Sequence, residues 1–485
     1  MESWTLNQRL EALSRMAADE LERTEGLCDT WVSPPAAGGD TPYYNVVVCG
    51  GGMSGLAIAF GLKRRGVDGV LIVDRNPSGW EGPWIGCARM KTLRSPKHLA
   101  GPDFGISALT PRAWFEAVYG EKAWQELDKM SRQDWMAYLD WYRSVTAPNI
   151  ENGTELQAIT WRDGWLELTL CREDEIRRVR CRHLVLATGI DGGGGPRLPH
   201  FVRELPRQFW SHSGDIADDS HLRRRAVAVI GSATSSFDWA VTALEQGASK
   251  VTMIARATDF GRTEALAWTN FPGYLGHFAN LPDAERWRFT NLFNRFQVPP
   301  TQDQFDRALS YPNFEMQLGQ NVKSAEVVGE HLRVVTDKTD FLVDHVLLGT
   351  GYAHNLAMRP ELKDIAPHIA LWRDRYTPPA ELECSATANY PYLGPGFELM
   401  PKTTGQYDWL RRIHMFNCAA LPSLGPISNG VTGLKYGLPR IVDAVTGSLF
   451  AELTEDFMSD FAQYSESHFD PRGHVSGRFD EEREQ

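Results

Sequence analysis

The sequence predicts an α/β protein in which one strand–turn–helix–strand unit is used twice, and three observations carry that prediction. The stretch NVVVCGGGMSGLAIAFGLKRRG runs into VLIVD, ending at Asp74. A second stretch, AVAVIGSATSSFDWAVTALEQG, runs into KVTMIAR, ending at Arg256. Each is followed further along by short alternating strands that close on a small-residue turn, HLVLATG at 183–189 and DHVLLGTG at 344–351. A repeated unit reveals architecture better than a single motif. The spacing repeats as well, with 24 residues from Gly50 to Asp74 and 25 from Gly231 to Arg256.

Taken in order, Leu6, Leu10, Leu13, Met16 or Ala17, and Leu21 recur at helical spacing, which predicts an amphipathic helix over residues 5–24. Such a helix either docks on the body or packs in a homo-oligomer. SPPAAGGDTP (33–42) is a Pro/Gly linker. Tyr43–Leu62 carries no charge over 20 positions, enough to resemble a membrane span. Its five glycines and β-branched start predict instead a buried strand entering a helix, and no transmembrane segment is expected. TELQAITW, WLELTL and IRRVRC form a meander leading to the first closing strand; HLRVVT and DFLV lead to the second. The run GGGG at 192–195 precedes no helix and is predicted to be a flexible connection between domains. Beyond residue 467 the chain is polar and is expected to fray. The expected organisation is an N-terminal extension (1–43), one nucleotide-binding domain (44–200 and 335–467), a second inserted into it (201–334), and a tail (468–485).

At 485 residues the chain supports two or three domains. Lys and Arg number 50 against 62 Asp and Glu, a net charge of -12, which excludes the dominant cationic face that nucleic-acid binding requires. Seven scattered cysteines without a CxxC pair, and no leader ahead of them, indicate a reducing cytoplasm. The 13 histidines show no metal-binding spacing. GMSG at 52–55 lies inside the first glycine turn, so Ser54 belongs to a nucleotide site and not to a hydrolase triad.

Gly50, Gly52 and Gly55 satisfy G-x-G-x-x-G between a strand and a helix, which permits a tight turn, close approach to a pyrophosphate and close helix packing. Asp74, 19 residues past Gly55, can accept hydrogen bonds from a ribose hydroxyl but repels a 2′-phosphate, so this site suits FAD or NAD; Arg75 follows it. The second turn keeps Gly231 and places Ser232, Ala233, Thr234, Ser235 and Ser236 after it. There Arg256 stands in the place of Asp74 and suits the 2′-phosphate of NADPH. Thr188, Gly189, Thr350 and Gly351 close the two units. Two such sites imply hydride transfer from NADPH to a bound flavin. Disulfide reduction needs a cysteine pair that is absent, which leaves molecular oxygen as the leading acceptor.

The order of these segments resembles the class B flavoprotein monooxygenases over residues 44–455: GPW (82–84) is similar to their GG-x-W segment, and DHVLLGTGY (344–352) to their D-x-(V/I)-x-x-A-T-G-Y segment. The resemblance implies a fold of two nested Rossmann-type domains and an NADPH-reduced FAD enzyme. Such an enzyme passes one oxygen atom from a C4a-peroxyflavin to a small substrate. MKTLRSPKHL (90–99) and WTNFPGYLGHFANLP (268–282) resemble segments of the amine N-hydroxylases. They would place Lys97 at a substrate carboxylate and Asn270 at the substrate. The Baeyer–Villiger linker signature is replaced by FWSHSGDI, with Phe209 and His212 three apart, so S-oxidation or Baeyer–Villiger oxygenation is the alternative, and a non-oxygenating reductase another. His212 is either a hinge at the nicotinamide or a packed linker histidine. Trp84 would pack on the flavin, and Ser428 and Asn429 would line it.

Overall fold

The structure is a computed structural model that describes residues 4–469 except 25, 36–38, 40, 217 and 429, so Asn429 and most of the polar tail lie outside the described residues. The first sheet runs Ile150–Asn152, Val70–Asp74, Tyr43–Cys49, Glu175–Leu186, Trp165–Arg172, Thr154–Arg162, and Ile413–His414 adds alongside Leu184 and Val185. Val46, Val47 and Val48 are fully buried because helices cover the central strand, the burial that a continuous β-branched run predicts. The long strand Glu175–Leu186 serves two roles. Its first half pairs antiparallel with Trp165–Arg172 and its second half pairs parallel with Tyr43–Cys49, so the meander and the nucleotide-binding strands share one sheet.

The second sheet is entirely parallel, in the order Phe314–Leu318, Lys250–Ala255, Ala226–Ile230, His345–Leu348, Trp210–His212. A separate antiparallel meander, Val322–Val328, His331–Thr336 and Asp340–Val343, stands next to it, and its first strand has no counterpart among the sequence predictions. The expected boundary at 334/335 falls ahead of one strand of this sheet. His345–Leu348 pairs in register with Val227–Ile230, so the second unit retains its own closing strand and extends to about residue 350.

The glycine run at 192–195 is corrected, because it is buried and not a flexible connection. Gly194–Pro196 pairs antiparallel with Tyr352–His354, so the two chain crossings between the sheets form one ribbon. A Cβ at Gly192 would lie 2.1 Å from Thr188 Oγ1, and one at Gly194 would lie 1.9 Å from the Ala353 carbonyl oxygen. Glycine is required there for close approach, not for freedom.

The N-terminal helix forms over Leu6–Arg23, capped by Thr5 with Gln8 in a capping box. It buries Leu13, Ala17 and Leu21, and the Glu20 carboxylate accepts from Ser107 N–H (2.8 Å), Ser107 Oγ (2.9 Å) and Ala108 N–H (3.1 Å). The apolar stripe therefore docks on the body. The 22-residue helix Val431–Glu452 packs on Met53–Arg64, where a Cβ on Gly61 would come within 2.6 Å of Val442 Cγ2. Among the described residues no helix is long and apolar enough to cross a membrane.

Candidate active site

The first turn is built on glycine for steric reasons. Gly50 holds φ +107°, and a Cβ there would sit 2.4 Å from the Ala187 carbonyl oxygen; one on Gly55 would sit 1.8 Å from the Gly50 carbonyl oxygen. Gly52 caps helix Met53–Arg64 without any side-chain bond, which leaves the first-turn N–H groups, including that of Ser54, open to an anion at the positive helix end. Asp74 is buried; its carboxylate accepts from Gly51 N–H (2.7 Å) and Asn76 N–H (2.8 Å). Burial raises its pKa above the ordinary value against the pull of those two bonds, and each oxygen keeps a lone pair for a ribose hydroxyl. Arg75 is exposed and faces Asp191 at 3.5 Å.

Around this cradle the structure gathers residues that are distant in sequence. Trp84 packs edge-on to Trp135 at 5.9 Å, and its carbonyl accepts from the Arg132 guanidinium. Its indole lies against Gly82, which in turn lies against Gly52, and its buried N–H has no hydrogen-bond partner among the described residues. Thr188 and Gly189 (φ +73°) close the strand Glu175–Leu186 beside Gly50. Sequence reasoning missed Asn417, which donates to Thr188 Oγ1 (3.1 Å), caps Ala419 N–H (2.9 Å) and accepts from Ser428 Oγ through its carbonyl (2.7 Å). Its one sequence signal is a short, mostly apolar run, IHMF, that stops at a capping Asn. The fit to a bulky dinucleotide is good: an open helix end, an orphaned indole donor and a cradle that Cβ atoms would fill.

At the second turn Gly231 holds φ +118°, and Ala233 caps helix Thr234–Glu245, again with no side-chain bond. Ser232 and Ser235 are without side-chain partners among the described residues, and the Thr234 hydroxyl donates to the Pro299 carbonyl at 3.0 Å. Ser236 takes the place of a third glycine and is fully buried. It fits because the facing strand ends in Gly349, where a Cβ would lie 2.1 Å from Ser236 Oγ. Arg256 is exposed at the end of Lys250–Ala255 and has no ion-pair or hydrogen-bond partner among the described residues. Its guanidinium is therefore free for a 2′-phosphate.

No hydrogen bond, ion pair or ring contact joins Lys97, Asn270 and His212 among the described residues. Lys97 Nζ donates to the carbonyls of Trp124 (2.6 Å), Gln125 (3.1 Å) and Leu127, which end helix Glu121–Glu126. All three ammonium hydrogens are used, and a cation at a helix C-terminus is well placed, so Lys97 here faces helix carbonyls rather than an open pocket. Asn270 is exposed, ends helix Ala265–Thr269 and makes no side-chain bond among the described residues. His212 is buried. Its Nε2–H donates to the Gly351 carbonyl (3.0 Å) and its Nδ1 accepts from Gly214 N–H (3.1 Å), which defines the neutral Nε2–H form. Burial lowers its pKa, and its ring packs edge-on to Tyr352 at 5.3 Å. It is a packed histidine at the crossing, beside Gly351 (φ +72°) and Thr350, whose hydroxyl donates to the Arg197 carbonyl at 2.6 Å.

A sequence model of the L-lysine 6-monooxygenase/L-ornithine 5-monooxygenase family matches residues 123–354. The chain is 34% identical over 466 residues, 95% of its length and 97% of the relative's, to the FAD-dependent urate hydroxylase of Xanthomonas campestris pv. campestris. It belongs to the class B flavoprotein monooxygenases. The monooxygenase also shares its fold with the ornithine hydroxylase of Pseudomonas aeruginosa (TM-score 0.65, 16% identity, 84% of this chain and 100% of that one). The ornithine N-hydroxylase of Kutzneria sp. 744 is similar (TM-score 0.63, 17% identity, 84% and 100%). The protein is an FAD- and NADPH-dependent oxidoreductase, and its two-cradle fold is the one that the sequence predicts.

Proposed function

We propose that this monooxygenase hydroxylates a small, nitrogen-rich heterocycle of the urate type. The observation that carries the reading is the full-length 34% identity to a urate hydroxylase, in a protein whose Lys97 is fully committed to helix carbonyls. An amino-acid substrate needs a cation for its carboxylate, and Lys97, the cation that the sequence nominated, is spent. In net terms the substrate, dioxygen, NADPH and a proton give hydroxylated substrate, water and NADP+. When bound, FAD supplies the redox chemistry with dioxygen and NADPH supplies the hydride.

Within this reading Gly50, Gly52, Ser54 and Gly55 hold the FAD pyrophosphate, Asp74 and Arg75 its ribose end, and Trp84, Thr188, Gly189, Asn417 and Ser428 flank the flavin. Gly231, Ser232, Ala233, Thr234 and Ser235 hold the NADPH pyrophosphate, Arg256 its 2′-phosphate, and Thr350 and Gly351 the crossing between the sites. The first unit forms an FAD domain and the second, to about residue 350, an NADPH domain. The roof between them is the segment from Ala265 to Pro299, tied to one side by Thr234 and to the other by Arg440, which donates to the Gly276 carbonyl at 3.1 Å.

N-hydroxylation of a small amine is the second reading, favoured by the family match over 123–354. Incubation with NADPH and oxygen separates the two. Loss of urate matched one to one by NADPH oxidation, with oxygen in the product, supports the first reading. Hydroxylamine formed from a diamine, ornithine or lysine while urate is untouched supports the second. NADPH consumption with peroxide alone, whatever the substrate, sinks both.

A further inference from the structure

The loop that leaves Trp84 carries three cations in six residues, Arg89, Lys91 and Arg94, and all three reach across to the NADPH side. Arg89 Nη2 donates to Asp219 Oδ1 at 3.1 Å, and its Nε lies 2.7 Å from Asp219 Oδ2, an ion pair whose side chains are 7% and 13% exposed. The same guanidinium lies over the Trp239 ring, 4.8 Å from its centroid. Lys91 Nζ meets Glu245 at 3.3 Å, and Arg94 Nη2 meets Asp238 at 3.2 Å, on a carboxylate only 7% exposed. Asp238, Trp239 and Glu245 all lie on helix Thr234–Glu245, which rises from the second glycine turn, and Asp219 lies just before the strand that enters that turn.

One end of this loop therefore sits at the flavin-side cradle, through Trp84 and Gly82, and the other is fastened along the helix of the NADPH cradle. Hydride transfer needs the two ring systems at one separation, and an offset of about 1 Å can cost on the order of a hundredfold in rate. We propose that loop 86–94 is an electrostatic clasp that sets the separation of the two cradles, with Arg89 and Arg94 as positioning residues for flavin reduction. Geometry argues for a fixed strut over a chance surface contact. The Arg89–Asp219 pair is buried and so screened little by salt, and loss of Arg94 leaves the buried Asp238 carboxylate without its ion-pair partner.

The test is a double-mutant cycle on the FAD-loaded protein with Arg94→Gln, Asp238→Asn and both together. Two readouts apply: anaerobic flavin reduction across NADPH concentrations, and hydrogen exchange of residues 86–94 and 234–245 without NADP+. The expected result is a limiting reduction rate lowered about tenfold by either change and no further by both, as for coupled groups. The NADPH dissociation constant stays within about twofold, and exchange rises in both segments together. Lys91→Gln removes an exposed arm and keeps the proposal testable should the change at buried Asp238 unfold the chain; it is expected to lower the limiting rate by about twofold, and more steeply as salt is added. An unchanged limiting rate overturns the proposal, and so do independent, additive effects of the two single changes or a loss confined to NADPH affinity.

Discussion

At the first turn Gly50 holds φ +107° and Gly52 caps its helix at φ -71°, ψ -170°; at the second Gly231 holds φ +118° and Ala233 caps at φ -86°, ψ -179°. The two backbones follow the same path, so what separates the turns is side chain alone. The first is lined by hydrogen at position 52 and ends in a carboxylate at 74. The second accepts a methyl at 233, a hydroxymethyl at 236 and a guanidinium at 256. On the proposed assignment, a shared backbone sets the capacity to hold a pyrophosphate, and a few side chains set which dinucleotide each turn holds.

The comparison breaks most visibly at the helix caps. At Gly52 an added Cβ meets only Gly82 atoms, 3.5 Å away, at an ordinary φ. Gly52→Ala is therefore expected to fold normally yet to purify largely without flavin. A methyl group pressed into the pyrophosphate space costs about 1–3 kcal/mol, roughly 5- to 150-fold in affinity. Ala233→Gly, its mirror image, should leave NADPH binding nearly unchanged. Absorbance of bound flavin and NADPH titration check the pair, and retention of full flavin by Gly52→Ala would place the cofactor elsewhere.

Dinucleotide choice should follow the terminal residues. Arg256→Ala removes a free guanidinium and is expected to raise the NADPH half-saturation roughly 10- to 150-fold, from about 1.5–3 kcal/mol for charge-assisted bonds, while NADH is little affected. Steady-state oxidation of both nucleotides reads this directly. If both lose activity equally, Arg256 does not hold the 2′-phosphate.

The contrast also shows what a linear chain discloses. Both units were legible because strand, glycine turn and helix are contiguous, and burial of Val46–Val48 follows from composition and period. The surroundings of Lys97 were not legible, because nothing near it in sequence reveals that residues 124–127 end a helix against it. Asn417 was missed for the same reason, since 229 positions separate it from Thr188, to which it donates. The expected boundary at 334/335 separates the second unit from its closing strand, His345–Leu348, because sequence order alone does not show its pairing with Val227–Ile230. Local physics writes the cradles, whereas the groups that surround a bound substrate are set by packing between distant segments.

A third prediction uses the exchange of small residues. Gly349→Ala puts a Cβ 2.1 Å from Ser236 Oγ and 3.0 Å from its Cβ, so it is expected to destabilise the protein by about 1–3 kcal/mol. Adding Ser236→Gly empties that space and should restore most of the loss, which makes the two substitutions strongly non-additive in thermal unfolding. Independent losses would mean that the hydroxymethyl and the strand end do not share the space.

The smallest expected effect concerns acid stability. His345, in the second sheet, is buried with Nε2 2.9 Å from Ser211 Oγ; burial, with His221 and Arg225 nearby, lowers its pKa from 6.5 to about 3. Above its unfolded value the ring is neutral in both states and contributes no pH dependence. Between about 6.5 and 3 the unfolded chain binds a proton that the folded chain refuses, so stability falls as pH falls, by about 1.4 kcal/mol per pH unit for a whole proton. In the first sheet His414 is likewise lowered to about 3, by burial and the neighbouring His183, but it sits in a chain. Its Nδ1–H donates to the Gly396 carbonyl (2.8 Å), its Nε2 lies 3.2 Å from His183 Nδ1, and His183 Nε2 lies 3.0 Å from Glu452. His345→Gln should accordingly flatten the stability profile between pH 6.5 and 4 by up to one proton and leave it unchanged above pH 7. His414→Gln disturbs the whole chain, so its effect should persist above pH 7, where Glu452 loses part of what holds its carboxylate ionised. Denaturant unfolding at a series of pH values distinguishes the two, and equal profiles for both variants would show that the chain in the first sheet carries no coupling.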